Sequence, residues 1–141
     1  PQNQFDHRIA AYREHAKAGT LRDYHLGHLR HGVSKRWAES EAAARLLPPF
    51  ADRGADLDAE SIARVFEALT VSDLTPKLAA YRTPTLIVNG EHDSALAGGT
   101  RTASLIKHAR HEILRDSGHC CFLEKPEAFN AIVVDFLAGA A

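Results

Sequence analysis

Pro84-Thr85-Leu86-Ile87-Val88-Asn89-Gly90-Glu91-His92-Asp93 is the stretch whose reading decides the fold. Residues 85–88 form a short, almost wholly apolar run closed by Asn89-Gly90, the pattern of a strand buried on both faces of a parallel sheet. From there the chain alternates. Gly98 and Gly99 lead into a helix predicted over 100–108, and 111–115 reads as a second strand. Pro126 and Glu127 open a last helix, whose Phe129, Ile132, Val133, Phe136 and Leu137 recur at i, i+3, i+4, i+7 and i+8. The second half is therefore strand, helix, strand, helix.

Upstream of Pro84 the period is helical. Phe5, Ile9, Tyr12 and Ala16 share one face, and Gly19 stands where a left-handed cap ends such a run. Thr20 suits the start of a second helix bearing Leu21, Tyr24 and Leu29, which ends before Gly32 and a short segment with Trp37. Residues 42–47 continue helical, Pro48 and Pro49 are expected to stop them, and 50–57 reads as a loop. Asp58 is a good N-cap, Glu60 lies in the first turn where the helix dipole favours an anion, and Leu57 can staple onto Ile62. Ile62, Val65, Phe66 and Leu69 form its apolar stripe, and a short helix over 74–81 follows. We thus expect a helical region over residues 1–75 and an α/β region over 76–141.

Composition narrows the function classes. The chain of 141 residues is 45% hydrophobic with a formal charge of −1, so no net positive field gathers phosphates, and a nucleic-acid partner is not expected. No apolar run approaches the roughly 20 residues that cross a bilayer, and no secretory signal opens the sequence, so the expected setting is cytoplasmic, away from membranes. There is no methionine and residue 1 is proline, which leads us to expect a processed chain or a piece of a longer one. Cys120 and Cys121 are adjacent and have no distant partner, so no structural disulfide is expected. Two parallel strands also leave open edges and cannot bury their own apolar runs. The sequence implies more sheet than it contains.

The chemistry-bearing residues cluster at the strand ends. Ser117-Gly118-His119 follows the second strand, at the carboxyl edge where open α/β folds bind ligands, and Asp93 follows the first strand on the same edge. A carboxylate on one loop can fix the tautomer of an imidazole on the next and steady its charged form. Asp93 also reads as a simple turn residue, and His119 as a loop histidine bonded to backbone. Glu91 and Asp116 compete as the carboxylate. His25, His28 and His31 repeat every three residues, but no nearby cysteine or carboxylate completes a metal set, so they read as a solvated or partly packed helix face. Cys120 and Cys121 read as small buried residues rather than nucleophiles, and Gly98-Gly99 is too short for a phosphate loop.

The run 84–93, the helix after it, the Gly118-His119 loop and Glu124-Lys125-Pro126-Glu127-Ala128-Phe129 together resemble the C-terminal end of an α/β-hydrolase. The resemblance covers residues 73–137. It implies an α/β fold with a helical lid followed by two parallel strands and flanking helices, with Asp93 as triad acid and His119 as triad base. The helical first half resembles the lid of 3-oxoadipate enol-lactonase-like hydrolases, with esterases and C–C bond hydrolases close behind, and makes Trp37 a candidate wall of the substrate pocket. The family's Gly-x-Ser-x-Gly elbow is absent from the sequence. The resemblance therefore implies that an N-terminal part of the hydrolase carries the nucleophile, and that this chain alone is inactive. The substrate is expected to be a small ester or lactone, with no metal or organic cofactor. The competing expectations are a non-catalytic module that self-associates as a homo-oligomer through open strand edges, or a related epoxide hydrolase, dehalogenase or haloperoxidase.

Overall fold

A computed structural model describes residues 5–69 and 73–139. The elements are α1 (Asp6–Ala18), α2 (Leu21–His31), α3 (Lys35–Ala38), α4 (Glu41–Ala55), α5 (Ala59–Ala68), α6 (Thr75–Leu78), β1 (Thr85–Gly90), α7 (Leu96–Leu105), β2 (Ala109–Leu114), α8 (Cys121–Glu124) and α9 (Pro126–Gly139). They divide into two compact units, one of Pro1–Arg30 with Glu41–Asp73, the other of His31–Ser40 with Leu74–Ala141. Segment His31–Ser40, carrying Trp37, thus belongs to the unit that contains the strands. Residues 1–4 and 70–72 of the expected helical region lie outside the described residues.

In the first unit, α1 ends where Gly19 turns left-handed at φ 68°, its amide returning to the carbonyls of Ala16 and His15. Asp58 caps α5 by accepting the Ser61 amide at 2.7 Å. The helices meet through rings: Phe66 lies 5.4 Å from Phe5 and 5.7 Å from Tyr12, and Tyr12 lies 5.2 Å from Tyr24 between centroids. Arg13 on α1 pairs with Glu60 on α5, and Arg22 on α2 with Asp52 on α4. Both pairs are exposed, so they orient the helices more than they stabilise them.

Helix α4 corrects one expectation. It runs through Pro48 and Pro49 to Ala55, where the sequence suggested a stop and a loop over 50–57. Ala43, Leu47 and Ala51 are all buried and stand four residues apart, so one continuous apolar stripe carries the helix past the prolines. Packing outweighs the two backbone bonds that proline cannot donate. At the far end, a Cβ on Gly54 would come within 2.8 Å of the His25 ring, so the close approach of α2 and α4 requires glycine there.

In the second unit β1 and β2 pair in parallel, with Thr85 opposite Ala109 through to Gly90 opposite Leu114. Among the described residues they form a two-stranded sheet, against which both α7 and α9 pack. The expected fold class is observed. Three local expectations shift: α7 begins at Leu96 and contains Gly98 and Gly99, α6 covers only Thr75–Leu78, and α8 is a turn of helix the pattern did not suggest. Residues 85–88 are half-buried, and Ile113 on β2 is 49% exposed. The apolar runs thus exceed what two strands cover.

Candidate active site

Two loops leave the carboxyl ends of β1 and β2 side by side, tied by backbone bonds. Glu91 N–H donates to the Leu114 carbonyl at 2.9 Å and His92 N–H to the Ser117 carbonyl at 2.9 Å. Ser117, fully buried, turns its hydroxyl back onto the Leu114 carbonyl at 2.9 Å. The approach is tight enough that a Cβ on Gly90 would meet the Gly118 carbonyl oxygen at 2.1 Å. Asp116 takes a positive φ of 50° at the turn, a conformation aspartate tolerates better than most side chains.

This arrangement puts Asp93 against His119. Oδ1 of Asp93 lies 3.0 Å from Nδ1 of His119 and also accepts the Ala95 amide at 2.8 Å, while Oδ2 accepts from Asn89 Nδ2 at 2.8 Å. The Asp93 side chain is 2% exposed and that of His119 65%. Burial alone would push the Asp93 carboxyl up. The bonds from Ala95, Asn89 and His119 outweigh it and hold the carboxyl below its ordinary value. An ionised Asp93 is an acceptor and so favours the tautomer with the proton on Nδ1, which turns Nε2 of His119 into the acceptor nitrogen.

Of the competing carboxylates, that of Glu91 is occupied elsewhere. Glu91 accepts the Asp116 amide at 3.0 Å, and both side chains are exposed. Glu91, His92 and Asp116 form the one group among the described residues whose ligand atoms lie within 4.8 Å of one another, all at the surface. His25 packs on Tyr12 and His28 on Tyr24, their rings employed in aromatic contacts. Cys120 and Cys121 are free thiols. Burial, then nearby acidic groups, push both up, which keeps them protonated and poorly nucleophilic.

Trp37 stands on α3 and lines an open groove of about 310 Å³ with Ser34, Arg36, Ser40, Asp116 and Lys125. The lining includes neither Asp93 nor His119. The structure therefore brings Asp93 and His119 together, and the groove lined by Trp37 includes neither.

Sequence reasoning quoted Glu124 only as part of a motif, yet it holds the histidine loop. Its buried carboxylate accepts the Gly118 amide at 2.7 Å, the Ser34 hydroxyl at 2.5 Å and the Ser34 amide at 3.1 Å to each oxygen. Cys120 N–H donates to the Gly32 carbonyl at 2.8 Å on the same side. The signal for this role was a glutamate five residues past His119 and just ahead of Pro126, too generic to show its partners.

No family model matches the chain. The crystal structure of the enol-lactonase from Burkholderia xenovorans LB400 superposes with a TM-score of 0.77 and 28% identity, over 92% of this chain and 49% of that one. Mouse Protein ABHD14A is 44% identical over 61 residues, 41% of this chain and 24% of the relative. The 2-hydroxy-6-oxononadienedioate/2-hydroxy-6-oxononatrienedioate hydrolase of Escherichia coli is 40% identical over 70 residues, 48% of this chain and 24% of the relative. The chain thus spans about a quarter of these curated relatives and about half of the solved enzyme. Helices followed by two parallel strands match the C-terminal part of the α/β-hydrolase fold, and the chain is similar to hydrolases of that fold.

Proposed function

We propose that this chain is the C-terminal portion of a serine-type α/β-hydrolase that cleaves a small ester or enol-lactone. One observation carries the reading: the 3.0 Å contact between Asp93 Oδ1 and His119 Nδ1 across the ends of adjacent parallel strands. His119 takes the proton of a nucleophilic serine and returns it to the leaving oxygen, while Asp93 holds the imidazole tautomer and stabilises its charged form. The serine and the amides that bind the developing oxyanion come from a segment outside this sequence, which has no Gly-x-Ser-x-Gly. The likeness to a solved enol-lactonase favours the lactone class, with the helices of the first unit as lid and Trp37 as a pocket wall once that segment is in place. A cytoplasmic setting accords with the two free cysteines.

A second reading, cleavage of a carbon–carbon bond by the same acid and base, draws on the 40% identity to the Escherichia coli hydrolase. The test begins with the intact mass of the purified species and of any co-purifying chain, followed by assay on a nitrophenyl ester, an enol-lactone and a vinylogous 1,5-diketone. Activity in a species bearing the elbow, reduced more than about 10³-fold by His119→Ala and about 10⁴-fold by Asp93→Asn, is the expected result. A folded species bearing the elbow that is inert on all three overturns it, and a self-associated 15.4 kDa chain with no co-purifying segment favours a non-catalytic interaction module.

A further inference from the structure

The Asp93–His119 pair does not stand alone on its strand ends. Asn89 is the buried penultimate residue of β1, and Asn89 Nδ2 donates to Asp93 Oδ2 at 2.8 Å. Its Oδ1 lies 2.9 Å from Nε2 of His111. The register explains that contact: Asn89 is opposite Ile113 and His111 is opposite Ile87, so Asn89 and His111 are diagonal neighbours on one face of the sheet. The amide orientation follows from both ends. Turned the other way, an oxygen would face the Asp93 carboxylate, so a carboxylate on one side and an N–H donor on the other select a single arrangement. A third residue makes room. A Cβ on Gly99 of α7 would stand 2.0 Å from Asn89 Oδ1, so the amide can occupy its place only because position 99 is glycine.

We propose that Asn89, oriented by His111 and admitted by Gly99, is a positioning residue that fixes the Asp93 carboxylate so that its other oxygen meets His119. This deepens the proposed function and rests on its reading of Asp93 and His119 as an acid–base pair. Asp93 can rotate about its side-chain bonds, and Ala95 and His119 both bind one of its oxygens. Among the described residues, Asn89 is the side chain that donates to the second oxygen, and so sets the plane of the group. His111 acts one step further out, and Gly98-Gly99, which the motif reading had set aside, acquires a use at its second glycine.

The experiment is NMR on the full chain, reading the His119 tautomer from ring-nitrogen shifts and the Asp93 titration from its carboxyl carbon, with urea unfolding alongside to establish that each variant folds. In the native chain the expected reading is His119 with its proton on Nδ1. Asn89→Ala should raise the Asp93 midpoint and take the Nδ1–H form of His119 out of the majority. The isosteric Asn89→Asp keeps the volume but sets a carboxylate against a carboxylate, and should raise the midpoint further. Gly99→Ala should reproduce the Asn89→Ala signature, and the double variant should be no worse than the more affected single, because both act through one amide. His111→Ala should move both readouts the same way by less, and serves if the Asn89 variants do not fold. Folded Asn89 variants with native Asp93 titration and native His119 tautomer overturn the proposal, as does full additivity with Gly99→Ala. Asp93→Asn separates the two levels: if it leaves the His119 tautomer unchanged, the acid–base pair itself falls, whereas if it shifts the tautomer and Asn89→Ala does not, only the role of Asn89 falls.

Discussion

Glu124 and Ser34, ninety residues apart in sequence, are joined by three hydrogen bonds: the Ser34 amide reaches both carboxylate oxygens and the Ser34 hydroxyl one of them. Ser34 is also the N-cap of α3, with its Oγ 3.4 Å from the Trp37 amide. The same carboxylate accepts the Gly118 amide, so one buried group ties the Trp37 segment to the loop that presents His119. Glu124→Ala leaves buried donors without an acceptor and should cost about 3 kcal/mol in urea unfolding. Glu124→Gln keeps the shape and one acceptor, and should cost less. Equal losses in the two variants would show that the charge, not the shape and the acceptors, carries the effect.

Asp93 sets a pH dependence of fixed sign. Its folded value lies below the ordinary one, so acidification adds a proton to the unfolded chain before the folded one. The stabilisation is complete above about pH 5 and is lost as pH falls through the lowered folded value. The gap in unfolding free energy between the native chain and Asp93→Ala should narrow steadily from about pH 5 downward. A gap that widens toward acid would contradict the hydrogen bonds that hold the carboxylate.

Gly90→Ala should be among the least tolerated substitutions in the second unit. The added carbon would meet the Gly118 carbonyl oxygen at 2.1 Å and the Ser117 carbonyl oxygen at 2.4 Å, both backbone atoms that no side-chain rotation can move. We expect a loss at or above about 3 kcal/mol, the upper end for overpacking, with the Asp93–His119 pair separated in whatever folds. Gly98→Ala on the nearby helix has nothing within 4 Å of its added carbon and should be neutral or slightly stabilising. Calorimetric Tm values for the two variants give the comparison.

Pro49→Ala tests the helix that continues through its prolines. Pro49 is exposed, so the change removes little packing. It restores a backbone donor to α4 and relieves the clash of the ring with the preceding turn, worth about 3 kcal/mol, against up to about 1 kcal/mol of added unfolded-state freedom. The net expectation is a gain of about 1–2 kcal/mol in urea unfolding. A loss would mean that α4 bends at Pro49 in a way the first unit requires.

Much of the architecture was legible from local grammar. Gly19 marked a left-handed cap because only glycine enters that region freely, and Asp58 marked a helix start because its side chain reaches the amide three residues on. The apolar run before Asn89-Gly90 and the helix opened by Pro126 set the strand-and-helix order, and the loops after the strands pointed to Asp93 and His119. Short-range signals failed where a long-range contact decided the outcome. Pro48 and Pro49 read as a stop because the buried stripe of Ala43, Leu47 and Ala51 is visible only once the helices pack.

By itself, then, the sequence determined the element order, the parallel-strand character of residues 85–90 and the presence of a carboxylate and an imidazole on neighbouring loops, because each of these is encoded within a few residues of backbone preference and hydrophobic period. Tertiary structure alone decided which carboxylate faces His119, that Glu124 reaches Ser34 and Gly118, and that Asn89 sits between His111 and Asp93 in space opened by Gly99. The His111, His119 and Ser34 contacts depend on strand register and side-chain directions across 22 to 90 residues of sequence, which no local pattern records.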